Sequence, residues 1–119
     1  MTKTSQTPVR NDEENRYEYF DDLYRVWHRE DGPALIYDDG CEYYYQNGLL
    51  HREGGPAIDS YPQAICYCRY GKLHRMDGPA FHVNIGEKAE TKHWYFNGSN
   101  VDHLVLSWAK EMMIKSCFL

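Results

Sequence analysis

A heptapeptide written three times constrains this chain more than any other feature. The copies are His28-Arg29-Glu30-Asp31-Gly32-Pro33-Ala34, His51-Arg52-Glu53-Gly54-Gly55-Pro56-Ala57 and His74-Arg75-Met76-Asp77-Gly78-Pro79-Ala80, and their starts at 28, 51 and 74 fall 23 residues apart. A fixed period in the low twenties marks a repeat architecture, in which each copy is one small unit stacked on the next.

Between heptapeptides the residues alternate in the manner of short strands. The first unit runs Ala34-Leu35-Ile36-Tyr37, then Asp38-Asp39-Gly40, then Cys41-Glu42-Tyr43-Tyr44-Tyr45, and closes on Gln46-Asn47-Gly48. Asp-Gly and Asn-Gly between β-rich runs are hairpin signals, because both turn types need residues that accept positive φ. Each unit is therefore predicted to hold two antiparallel strands, with the heptapeptide in the turn joining one unit to the next and its Gly supplying the bend. The second unit replaces the far turn by Tyr61-Pro62-Gln63, and the third lengthens it over Asn84–Lys92. Counting from the closing Gly aligns Tyr44, Tyr67 and Trp94 as rings stacked across units. Counting along the first strands aligns Leu35, Ile58 and Phe81 as an apolar stripe.

The ends of the array differ from its middle. Residues 1–15 are polar and nearly free of apolar side chains, which predicts a flexible arm. Tyr17-Glu18-Tyr19-Phe20 and Leu23-Tyr24-Arg25-Val26-Trp27 read as the second half of a degenerate opening repeat. After Asn97-Gly98 the spacing of Leu104, Trp108 and Met112 becomes helical. The chain thus divides into an arm (1–15), a β-repeat domain (16–100) and a C-terminal amphipathic helix (101–119) packed on the sheet or capping it. The fold class is mainly β, an antiparallel β-meander of about three hairpin repeats with that helix.

Composition narrows the partners. The net charge of −5 argues against nucleic acid, whose phosphates call for excess Lys and Arg. No apolar run is long enough to span a bilayer, and no signal segment opens the chain. The four Cys, at 41, 66, 68 and 117, have neither disulfide nor zinc spacing, which points to reduced thiols in a cytoplasmic protein. Eleven Tyr against four Phe suit half-exposed sheets and contact surfaces.

The His-Arg-x-x-Gly-Pro-Ala frame, the aromatic strand after it and the closing Asn-Gly or Tyr-Gly together resemble a MORN-like repeat. The variety is that of small proteins of bacteriophages and large DNA viruses, and the resemblance covers residues 17 to 100. It implies a meander of hairpin units and a scaffold or interaction role, with no catalytic residues. By analogy it also implies a viral accessory protein that binds and inhibits a host protein, such as a defence component.

Three candidate sites follow. The first is a cationic rail, His28-Arg29, His51-Arg52 and His74-Arg75, with copies roughly 10 Å apart in an antiparallel sheet. That spacing suits an extended anionic partner, an acidic protein among them, and is too wide for one zinc ion. The competing reading is structural: each Arg pairs with an acid of its own or the neighbouring turn (Glu30, Asp31, Glu53, Asp77) and each His satisfies a turn carbonyl. The second site is the far edge, where the loop carrying Glu87 and Lys88 differs most between units. The third is an aromatic surface of Tyr43, Tyr45, Tyr95 and Phe96, opposite the apolar stripe, open to a partner or to a second copy in a homodimer. No nucleophile motif or phosphate-cradling loop appears, so no catalytic residue, metal or cofactor is expected. His82 with Asp59 is the one pair set aside as an acid/base candidate. The expected function is protein binding without catalysis. The alternative is sequestration of an anionic nucleotide by the rail Arg and stacked Tyr.

Overall fold

The computed structural model describes residues 7–104. They form short antiparallel strands: β1 (Val9–Asn11), β2 (Arg16–Glu18), β3 (Leu35–Tyr37), β4 (Glu42–Tyr43), β5 (Tyr45–Gln46), β6 (Leu49–Leu50), β7 (Ile58–Ser60), β8 (Ala64–Cys66), β9 (Cys68–Arg69), β10 (Lys72–Leu73), β11 (Phe81–Val83), β12 (Thr91–His93), β13 (Tyr95–Phe96) and β14 (Ser99–Asn100). Eight of them make one meander in the order β1-β2-β3-β4-β7-β8-β11-β12, and the other six make three separate hairpins, β5-β6, β9-β10 and β13-β14. The protein is mainly β, as its repeats predict. Among the described residues no helix is long and apolar enough to cross a membrane.

Each unit therefore has four strands, not two. The pivot is the residue between the two hairpins: Tyr44, Tyr67 and Trp94. The Tyr44 N–H donates to the Ala57 carbonyl in the next strand of the sheet, while the Tyr44 carbonyl accepts from the His51 N–H at the exit of the small hairpin. Tyr67 repeats this with Ala80 and His74. One residue thus serves two ladders, and the chain turns out of the sheet without leaving a polar group unpaired. The small hairpins close on two-residue turns, Asn47-Gly48, Tyr70-Gly71 and Asn97-Gly98, with φ of 51/80, 48/82 and 48/85. Positive φ at both positions is the type I′ geometry that matches strand twist.

The register sorts the two faces. Glu18, Leu35, Tyr43, Ile58, Cys66, Phe81 and His93 are successive cross-strand partners and share one face. This row holds the predicted apolar stripe, and Leu35 is 1% exposed, a burial contributing on the order of 2 kcal/mol. The small hairpins supply its cover, because Leu50 and Leu73 pack with Ile58, Phe81 and the buried Cys66 and Cys68. In the opening half-repeat Trp27 takes the place of Leu50 and meets the Tyr45 ring edge-on at 5.1 Å. Its strand-like bridge Phe20–Trp27 confirms the degenerate first unit.

Three readings need correction. The arm is not free from residue 9 onward: β1 pairs with β2, and Arg10 grips Asp38 with two hydrogen bonds of 2.7 and 2.8 Å while standing over the Tyr17 ring. Tyr43 lies in the apolar row, not opposite it, since alternation from the pivot Tyr44 turns it inward. The rings of Tyr44, Tyr67 and Trp94 share a face but do not stack on one another; arginines stand on the first two. Residues 102–104 are helical, and the remainder of the stretch expected as a C-terminal helix, 105–119, lies outside the described residues.

Candidate functional site

The heptapeptide edge is built by a grammar that the three copies share. Each Arg guanidinium lies over a Tyr ring of the preceding unit: Arg29 over Tyr19 at 4.0 Å, Arg52 over Tyr44 at 3.9 Å and Arg75 over Tyr67 at 3.9 Å. Its Nη1 donates to the Pro carbonyl four residues on, at 3.2 Å to Pro33, 3.1 Å to Pro56 and 3.2 Å to Pro79. The Gly before that Pro forms the other wall. A Cβ on Gly32, Gly55 or Gly78 would stand 2.8, 2.9 or 2.7 Å from the guanidinium carbon. None of these three glycines has positive φ. The residue is Gly to admit the arginine, not to make the bend.

The histidines work on the other side of the loop. His28 Nδ1 accepts the Asn47 N–H at 2.8 Å, His51 Nδ1 accepts the Tyr70 N–H at 3.0 Å, and His74 Nδ1 accepts the Asn97 N–H at 3.0 Å. Each His thus anchors the type I′ turn of the following unit rather than satisfying a carbonyl. Tyr70, a bulky residue at positive φ, is held there by this bond and by its ring stacked on His51 at 4.2 Å. The alanines that end the heptapeptides, Ala34, Ala57 and Ala80, are all fully buried.

The rail is therefore largely committed to holding the fold, and the charge it shows outward is acidic. Side-chain exposure is 67% for Glu30, 79% for Asp31, 84% for Glu53 and 89% for Asp77, against 21% for Arg29 and 27% for Arg75. Arg29 and Arg75 have Asp31 and Asp77 beside their Nε, at 3.8 and 3.1 Å. Between successive loops run two open grooves, of ≈ 650 Å³ and ≈ 460 Å³. The first has Tyr44 and Tyr70 in its lining, and the second Tyr67 and Arg69. Arg69 and Tyr70 did not stand out in the sequence, where the closing turn reads only as a hairpin signal.

The remaining candidates are dispersed. Glu87 and Lys88 sit exposed on the far loop, which is fastened to the neighbouring unit by Asn84 N–H to Gln63 O and Ile85 N–H to Pro62 O. Tyr45 and Tyr95 are half-buried in the small hairpins, and the exposed Phe96 packs against His74 at 4.8 Å. No single aromatic surface unites them with Tyr43. His82 and Asp59 each pair with Ile65 from opposite sides, so a strand separates them, and His82 Nε2 lies 2.5 Å from Glu90 instead. Burial pushes both the Cys66 and Cys68 thiols up, Cys68 to about 11, which leaves little thiolate for nucleophilic chemistry.

The array ends by substitution within the same grammar. Val101 occupies the place of the heptapeptide His, its N–H donating to the Trp94 carbonyl, and Asp102 follows in the place of Arg. The Asp102 carboxylate accepts the Trp94 N–H at 2.6 Å and meets His93 Nδ1 at 2.6 Å. It thereby takes the bond that an Ala carbonyl of a further unit would have taken. Compared with protein families, curated proteins and solved structures, the chain matches none.

Proposed function

We propose that this chain is a non-enzymatic protein-binding module whose contact surface is the heptapeptide edge with its two grooves. The observation carrying this reading is the immobilisation of that edge. Every guanidinium is fixed between a ring, a carbonyl and a glycine, and every intervening turn is fixed by a histidine. A surface ordered before binding loses little side-chain entropy on contact, which favours protein recognition by rigid Arg and Tyr anchors. A partner would meet the acidic tips first and the guanidinium edges beneath them. The resemblance of the repeat to viral MORN-like proteins extends the proposal to inhibition of a host defence protein.

Affinity capture from a host lysate tests this, using the wild type and a variant with Arg69→Glu and Tyr70→Ser in the groove walls. A single stoichiometric protein, retained by the wild type and lost by the variant, is the expected result. No captured protein, with a salt-sensitive rise in Tm on adding a nucleotide, would overturn it in favour of nucleotide sequestration.

A further inference from the structure

The middle heptapeptide breaks the charge pattern of its neighbours at one position. Asp31 and Asp77 become Gly54. The loss has a direct structural counterpart. Arg75 Nε donates to Asp77 at 3.1 Å, and Arg29 Nε stands 3.8 Å from Asp31. Arg52, held by the same ring and carbonyl contacts, forms no ion pair among the described residues. Gly54 has a φ of 80, which neither Asp31 nor Asp77 has, so its backbone departs from theirs there, and a Cβ built on it would meet nothing within 4 Å. Arg69, on the wall of the same ≈ 460 Å³ groove, likewise has no acid partner among the described residues.

We propose that Arg52 takes a carboxylate from an acidic segment of a protein partner, seated where Asp31 and Asp77 sit in the flanking units. Asp77 on Arg75 displays the bound geometry, Asp31 stands farther off at 3.8 Å from Arg29, and the middle unit has no carboxylate in that place. Preorganisation is already complete: Tyr44 and the Pro56 carbonyl fix the guanidinium plane, leaving its Nε edge to accept a planar oxyanion. Arg69 adds a second cation at the groove, while Glu53, 3.8 Å from His51, and Asp77, bonded to Arg75, are turned to partners of their own. Those acids disfavour a polyanion along the whole edge and leave one position for one acidic side chain.

The inference rests on the protein-binding reading, yet it can fail separately. The test is ¹⁵N-edited NMR of the arginine Nε–H signals in the full chain, titrated with a capped Gly-Asp-Glu-Gly peptide. The expected result is a saturable shift at Arg52, absent at Arg29 and Arg75. Gly54→Asp should weaken it about tenfold by filling the place from within, as loss of one charge-assisted contact would. Gly54→Asn makes the same backbone demand without charge and should keep the binding. No shift at Arg52, equal shifts at all three arginines, equal affinity in Gly54→Asp, or a response to inorganic phosphate alone would each overturn the proposal. A captured partner that binds Gly54→Asp as well as wild type would sink the Arg52 site and leave the module standing.

Discussion

Replacing Gly55 by Ala puts one methyl group against a guanidinium that cannot yield freely. The new Cβ would lie 2.9 Å from the Arg52 guanidinium carbon and 3.0 Å from its Nε and Nη1, where ordinary contact begins at 3.4 Å. The side chain can escape only by leaving the Tyr44 ring, 3.9 Å away, and the Pro56 carbonyl, 3.1 Å away. The ring contact contributes roughly 0.5–2 kcal/mol. The hydrogen bond from a charged donor contributes roughly 1.5–3 kcal/mol where buried, and less at this half-exposed edge. Against these stands a gain of about 0.4–1 kcal/mol from the lower entropy of the unfolded Ala chain, available because Gly55 has no positive φ. The net expectation is a destabilisation of about 2 kcal/mol, read by urea unfolding. In an Arg52→Ala background the same substitution should be neutral or slightly stabilising, so the two changes should couple by about 2 kcal/mol. Equal costs in both backgrounds would refute the idea that glycine is present to admit arginine.

Other outcomes follow from the same geometry. His51→Ala should lower stability by about 1–3 kcal/mol, because the Tyr70 N–H loses its acceptor and a residue at positive φ loses its stacking partner; thermal unfolding beside the Tyr70→Gly variant checks it. Asp102→Ala should quicken hydrogen exchange of the Trp94 amide about tenfold, leaving the Tyr44 and Tyr67 amides unchanged, since only the terminal unit loses its acceptor. Ala57→Leu should destabilise by about 1–3 kcal/mol, as the site is fully closed, while Gly40→Ala, in open space, should register only its φ of 95. Acid should loosen both ends. Burial alone would push the Glu18 carboxyl up, but bonds from Arg16 and Asn11 outweigh it and hold the group below its ordinary 4.5. Burial likewise opposes, and bonds from His93 and the Trp94 N–H overcome, the same shift at Asp102, which lies below its ordinary 3.8. Groups lowered on folding stabilise the protein above their unfolded values and cease to do so as pH falls through the folded ones. Unfolding free energy should therefore decline below about pH 4.5; a flat profile from 5 to 3 would contradict the ion pairing at Arg16.

The repeat, its hairpins and the alignment of Leu35, Ile58 and Phe81 were legible in the residues because period and turn chemistry are local. The second hairpin of each unit was not. Tyr45–Gln46 and Leu49–Leu50 are strands of two residues, too short to display an alternation. Gly55 read as a bend because glycine looks the same whether it serves a torsion or a close approach; only the position of Arg52 separates the two. The ordering of Val9–Asn11 depends on Arg10 reaching Asp38, 28 residues away, and no window of neighbouring residues reports such a contact. At the edge, the arginines were visible as charges. Their confinement by rings of the preceding unit was not, and neither was the exemption of Arg52, although Gly54 in place of Asp was its written trace.

The histidine anchors have a consequence for how such a chain can lengthen. His28 completes the turn at Asn47, His51 the turn at Tyr70 and His74 the turn at Asn97, so each junction offers the same socket to whatever copy comes next. A duplicated stretch of 51–73 spliced in after Leu73 would find every donor and acceptor already matched at both of its joints. Growth by whole copies is thus close to neutral for the molecule, whereas insertion of a partial copy severs two junctions at once. Val101 and Asp102 stand where the next His and Arg would be, so a further copy would need both replaced before it could join the series.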